Sequence, residues 1–90
     1  MPPAIEFDPD KDALNRVKHG LSLAEARAFD WATAALVGDA RTDYGELRVV
    51  AYGMLYGRLH VVVFTDRPPA RRIISLRRAN RREIKRYATP

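Results

Sequence analysis

Residues 47–65 read LRVVAYGMLYGRLHVVVFT, and this string decides the fold. Runs 47–55 and 59–65 predict two strands, with Tyr56-Gly57 as the tight turn between them. Val61-Val62-Val63-Phe64 is apolar on both faces, as a central strand should be. Downstream, Asp66-Arg67-Pro68-Pro69 stops the second strand, because consecutive prolines cannot continue a ladder. Residues 72–76 predict a third strand. Asn80-Arg81-Arg82-Glu83 then has capping-box spacing and predicts a final helix with Ile84 and Tyr87 turned inward.

Upstream, Ile5-Glu6-Phe7 alternates apolar and polar and predicts a short strand. Asp8-Pro9 starts a helix: Asp caps its first amides and Pro suits its first position. Ala13, Leu14 and Val17 form the expected apolar stripe, and Lys18-His19-Gly20 the end. Ser22-Leu23-Ala24-Glu25 is a second capping box, with Ala26 and Phe29 facing inward behind it. Residues 30–36 connect, Ala35-Leu36-Val37 opens a strand, and 38–46, rich in acids and glycine, is expected as a loop. The sum is one α+β domain over residues 1–90: an antiparallel sheet with two N-terminal helices and a C-terminal helix.

Charge is distributed unevenly. The chain has 90 residues and a formal net charge of +5, yet residues 67–90 carry +8 and residues 1–66 carry −3. A dense arginine field suits phosphate, since the guanidinium fork stays charged and grips two oxygens at once. It points to a polyanionic partner, nucleic acid first. There is no cysteine, hence no disulfide and no Cys-based zinc site. No HxxH, HExxH, P-loop, GxGxxG or GxSxG spacing occurs, so neither a metal nor a nucleotide cofactor is expected. No signal peptide and no membrane-spanning run is evident, and the expected location is cytoplasmic.

Three groups could carry chemistry. The arginine field divides into a strand start at Arg71-Arg72, a junction at Arg77-Arg78, and a helix face bearing Arg81, Arg82, Lys85 and Arg86. Arg71 and Arg72 must alternate faces, so only one of them can serve a given site. Lys18-His19 offers a group that titrates near neutral pH beside a cation, or else a plain helix terminus. His60, inside a strand, reads as a histidine satisfied by a neighbour. Asp8, Asp10 and Asp12 read as helix-start carboxylates, and Phe29 and Trp31 as core or partner contacts.

Several strings occur in a telling order: Glu6-Phe7-Asp8-Pro9 with Lys11 and Asn15, Lys18-His19-Gly20, Glu25-Ala26, Gly45-Glu46 with Arg48, Arg72-Ile73-Ile74-Ser75 with Arg78-Ala79, and Arg82-Glu83 with Tyr87. Together they resemble the BrnT family of type II toxins. Leu76 and Asn80 depart from that pattern, which has Ala and Thr there. The resemblance implies a RelE-like fold, ribonuclease activity that blocks translation, and a BrnA-like antitoxin with a ribbon-helix-helix region, through which alone the pair would touch operator DNA. With that resemblance, the chemistry expected is metal-independent attack of a ribose 2′-hydroxyl on the adjacent phosphate. His19 takes the acid–base role, with Lys18 as an alternative or a helper. Arg72 and Arg78 stabilise the phosphorane, and Arg67, Arg77, Arg81 and Arg82 bind substrate. Tyr87 is a weaker candidate. The competing reading is a non-catalytic module that binds nucleic acid or an acidic protein.

Overall fold

The computed structural model of the chain describes residues 3–43 and 46–88. Five strands form one sheet in the order β1-β5-β4-β3-β2: β1 (Ala4–Glu6), β2 (Ala35–Asp43), β3 (Glu46–Leu55), β4 (Arg58–Arg67) and β5 (Ala70–Arg78). Helix α1 (Pro9–His19) and a 3₁₀ helix (Leu23–Ala28) lie between β1 and β2, and α2 (Arg81–Tyr87) follows β5. Among the described residues no helix is long and apolar enough to cross a membrane.

The α+β class holds, with one correction. The sheet is mixed, because β1 pairs parallel with β5 while every other pair is antiparallel. The cause is the route of the chain: α1 and the 3₁₀ helix separate β1 from the meander, so β1 joins the far edge without a hairpin. A second correction concerns 38–46. Residues through Asp43 extend β2, and Glu46 already belongs to β3, so only Tyr44-Gly45 of the expected loop lies outside the described residues. Acids and glycine argue against strand locally, but an edge strand paired on one side tolerates them.

The β3–β4 hairpin turns as its sequence suggests. Tyr56 and Gly57 have φ of 51° and 77°, the pair of positive values that a tight two-residue turn requires. Leu23, Ala26 and Phe29 cover one face of the sheet and bury Ala51, Leu55, Val62, Phe64, Ile73 and Leu76. Trp31 packs edge-on to Phe29 and Phe64, at ring separations of 4.7 and 5.2 Å, and its indole N–H donates to the Ala26 carbonyl. Gly53 makes room for this layer: a Cβ there would sit 2.6 Å from Phe29 Cζ.

Helix α1 follows its expected caps. The Asp8 carboxylate accepts from the Asp10 amide, and Gly20 adopts the left-handed conformation at the other end. Its burial is the reverse of the expected stripe. Leu14 and Val17 are 66% and 87% exposed, and Asn15 is the buried residue at 5%. The reason is a polar clamp. Beyond Arg72, β5 has no strand on its outer edge. There the Asn15 amide donates to the Leu76 carbonyl at 2.8 Å, and the Leu76 N–H donates to Asn15 Oδ1 at 3.1 Å. The same amide also donates to the Leu21 carbonyl at 2.8 Å. Asn15 thus substitutes for a missing strand. Asp12 adds a second tie by accepting from the Leu23 amide at 2.6 Å and from the Ser22 hydroxyl.

Both capping boxes form, at Ser22/Glu25 and at Asn80/Glu83. The first opens a 3₁₀ helix where an α-helix was expected. Helix α2 buries no residue, and Ile84, expected inward, is exposed. It is held by Tyr87, whose ring stacks on Tyr52 at 3.9 Å, and by a two-point ion pair between Glu83 and Arg77.

Three substitutions test this account. Asn15→Ala leaves the buried Leu76 N–H and C=O without partners and should cost about 1–3 kcal/mol, seen as a lower urea midpoint at unchanged slope. Val17→Ala, on the stripe the sequence marks as apolar, should change stability by about 0.5 kcal/mol or less. Gly53→Ala should cost about 1–3 kcal/mol through overpacking, and adding Phe29→Leu should recover part of it in the same titration.

Candidate functional site

The sheet face opposite the core carries the charge. Strand alternation turns Arg48 and Tyr52 of β3, Thr65 of β4, and Arg72 and Arg77 of β5 away from the buried layer. The register sets Thr65 opposite Arg72, and Val61 opposite both Tyr52 and Arg77. Near the middle, Val63 pairs with Ser75 and Phe64 with Ile73, leaving Ile74 as the extra residue of a bulge. That extra residue allows Arg72 and Arg77, five positions apart, to share a face.

A cavity of about 370 Å³ opens at one end of this face. Its polar wall is Lys11 of α1, Glu46 and Arg48 of β3, Thr65 and Arg67 of β4, and Arg72 of β5. Four cations therefore face one carboxylate. The Arg67 fork holds Glu46 with both arms, Nε at 2.8 Å and Nη2 at 2.6 Å. That pair, helped by Arg72, keeps the Glu46 carboxyl below its usual range. Arg72 reaches Glu6 of β1 through a single longer contact of 3.3 Å. The Thr65 hydroxyl donates to the Leu47 carbonyl at 2.6 Å, so its proton is already committed.

A second cluster lies at the other end. His19, at the C-terminus of α1, has its pKa pushed below the ordinary 6.5 by desolvation first, then by the charges of Lys18 and Arg77. Both causes favour the neutral imidazole. Burial, then the neighbouring Tyr87, raises the Tyr52 phenol above its ordinary 10.0.

The expected site residues thus divide. Arg67 and Arg72 share the cavity. His19 sits eight residues beyond Lys11 on α1, roughly 12 Å along the axis, and its charged neighbour is Arg77 rather than Arg72. Lys18 is exposed beside it. Arg78 alternates to the side opposite Arg77 and borders a separate apolar depression with Met54, Leu59 and Ile84. Arg81 and Arg82 are exposed on α2. Arg71 and Arg72 do alternate: the Arg71 guanidinium stacks over Phe64 and Trp31 at 4.5 and 4.9 Å and pairs with Asp66. His60 is buried, with Nδ1 2.9 Å from the Arg58 carbonyl, as a structural histidine should be.

Three charged cavity residues, Lys11, Glu46 and Arg48, carried no role in the sequence reading. Lys11 is one cation in an acidic helix start, and Glu46 fell in the expected loop. Their signal was only their presence among the strings that resemble the BrnT pattern. Among the described residues, no group of three or more His, Cys, Asp or Glu side chains could hold a metal ion.

No curated protein matches the chain. A family model does: that of the ribonuclease toxin, BrnT, of type II toxin–antitoxin systems, over residues 7–83. The match includes every cavity-lining residue and stops at Glu83, the residue that caps α2 and pairs with Arg77. A match of that extent shows the family, and the chain belongs to the BrnT ribonuclease toxins of type II toxin–antitoxin systems.

Proposed function

We propose that the protein is the toxin of such a pair, an endoribonuclease with a RelE-like sheet that cleaves RNA without a metal and arrests translation. A BrnA-like ribbon-helix-helix antitoxin would neutralise it, and operator DNA would be reached only through that antitoxin. The observation that carries this reading is the cavity in which Lys11, Arg48, Arg67 and Arg72 converge. Metal-independent RNA cleavage runs by attack of a ribose 2′-hydroxyl on the adjacent phosphate. Negative charge builds on the phosphorane oxygens, and fixed cations around them lower the barrier. The cavity supplies those cations from four different elements, so the geometry is set by the fold and not by one flexible segment. Arg77, Arg81 and Arg82 extend the positive surface for the flanking strand or for acidic residues of the antitoxin.

A second reading places the chemistry at the other end, with His19 as proton acceptor, Lys18 as helper, and Arg77 on the phosphate. The depressed pKa of His19 favours it, because the neutral imidazole is the form that accepts a proton.

Purified protein incubated with RNA in chelator should yield 2′,3′-cyclic phosphate and 5′-hydroxyl ends. Arg72→Ala should lower the rate by about 10²–10³, and growth arrest in bacteria lacking the antitoxin should weaken with it. Salt-sensitive binding of RNA that stays intact would replace the enzyme with a binding module. The pH profile separates the two sites. If His19 is the base, kcat/KM shows an acidic limb below the ordinary histidine range and collapses in His19→Ala. With the chemistry in the cavity, His19→Ala changes the rate by less than about tenfold and leaves the profile's shape alone.

A further inference from the structure

We infer that Glu46 is the proton acceptor of the cavity, and that its ion pair with Arg67 is a resting contact which the scissile phosphate opens. This rests on the ribonuclease reading above.

The geometry supplies the argument. A guanidinium fork accommodates one two-oxygen anion at a time, and a phosphodiester presents the same pair of oxygens as a carboxylate. Glu46 therefore marks the seat that a phosphate would take on Arg67. The seat is accessible, since the Arg67 and Glu46 side chains are 46% and 37% exposed. Exposed pairs of this kind are weak and screened by salt. A phosphate in the cavity also meets Arg72, Arg48 and Lys11, so more cations favour it than favour Glu46 alone.

The exchange then changes Glu46 itself. Its pairing with Arg67 is the first cause of its depressed pKa, with Arg72 contributing. Once phosphate takes the fork, Glu46 loses that bond and gains a negative neighbour, and both effects raise its affinity for a proton. Glu46 then becomes more basic where a 2′-hydroxyl is presented. Among the described side chains, every charged group facing it enters this balance: Arg67 on β4, Arg72 on β5, Arg48 on its own strand, Lys11 on α1, and Glu6 of β1 behind Arg72.

Several other described carboxylates have structural duties. Asp12 holds the Leu23 amide, Glu25 and Glu83 close capping boxes, and Asp66 pairs with Arg71. Among the described residues, Glu46 is the acid that lines the cavity. In the step itself, the 2′-hydroxyl proton passes to the Glu46 carboxylate as the O2′–P bond forms. The P–O5′ bond breaks, and O5′ takes a proton from water at the open mouth. Glu46 then releases its proton to solvent and re-pairs with Arg67.

The test uses E46Q, which keeps the shape and can still accept a hydrogen bond from Arg67 but cannot take up the proton. Single-turnover cleavage at saturating RNA and pH 7 should fall about 10²–10⁴-fold. Binding of an uncleavable 2′-O-methyl oligonucleotide should be equal or tighter, since the competing carboxylate charge is gone. The wild-type single-turnover rate should show an acidic limb in the carboxylate range that E46Q lacks. E46D, which retains a base at shorter reach, should recover part of the rate and the limb, and it keeps the test open if E46Q does not fold. Cleavage by E46Q within about threefold of wild type, or an unchanged acidic limb, would overturn the assignment while the ribonuclease reading stood. Absence of cleavage by the wild-type protein would overturn that reading itself and this assignment with it.

Discussion

The hydrogen bonds between Asn15 and Leu76 set the position of everything that follows. Strand β5 would otherwise present bare N–H and C=O groups along its outer edge, because β1 reaches only as far as Arg72. A buried orphan of that kind is costly. Asn15 satisfies the N–H and C=O of Leu76 with one side chain, and in doing so fixes α1 lengthwise along the edge. Lys11, one turn earlier, then lines the cavity. His19, one turn later, comes under the charge of Arg77. Leu14 and Val17 are left facing solvent as a consequence, since one side of the helix is committed to a polar contact.

This explains which parts of the structure the sequence disclosed. The hairpin 47–65 was legible because alternation, turn chemistry and two-sided burial all agree there. The helix boundaries were legible because capping is a local interaction between residues three apart. The orientation of α1 was not. Its partner lies 61 residues away, and nothing within the helix distinguishes an Asn that clamps a strand edge from an ordinary polar surface residue. The start of β2 at Ala35 was legible, but its extension beyond Val37 was hidden for a related reason, since pairing with β3 outweighs the weak strand preference of its glycine and acids.

The candidate site divides along the same line. Strand alternation alone separates Arg71 from Arg72, and the structure bears that out through the stacking of Arg71 on Trp31 and Phe64. Sequence distance gives no hint that Lys11, Glu46 and Arg72 meet, because they come from a helix and two strands that are not neighbours in the sheet. The bulge at Ile74 is equally invisible in the string Ile73-Ile74-Ser75, yet it decides which side Arg77 takes relative to Arg72.

The arginine field also reads differently once its partners are known. Arg67, Arg71, Arg72 and Arg77 each face a carboxylate: Glu46, Asp66, Glu6 and Glu83. All but Glu83 come from residues 1–66, so the charge asymmetry along the sequence is partly offset across the sheet. A fold that brought this many guanidinium groups onto one sheet without counter-charges would be opposed by their mutual repulsion. The same carboxylates keep the forks oriented and ready for another anion. If phosphate binds as proposed, stability and binding draw on one set of contacts, and a phosphate that displaces a carboxylate replaces an interaction the fold already has. On the ribonuclease reading proposed above, the strength of the resting pairs would set how tightly the surface holds an anion, and the longest of them, the single 3.3 Å contact between Arg72 and Glu6, leaves the Arg72 guanidinium the least committed of the four.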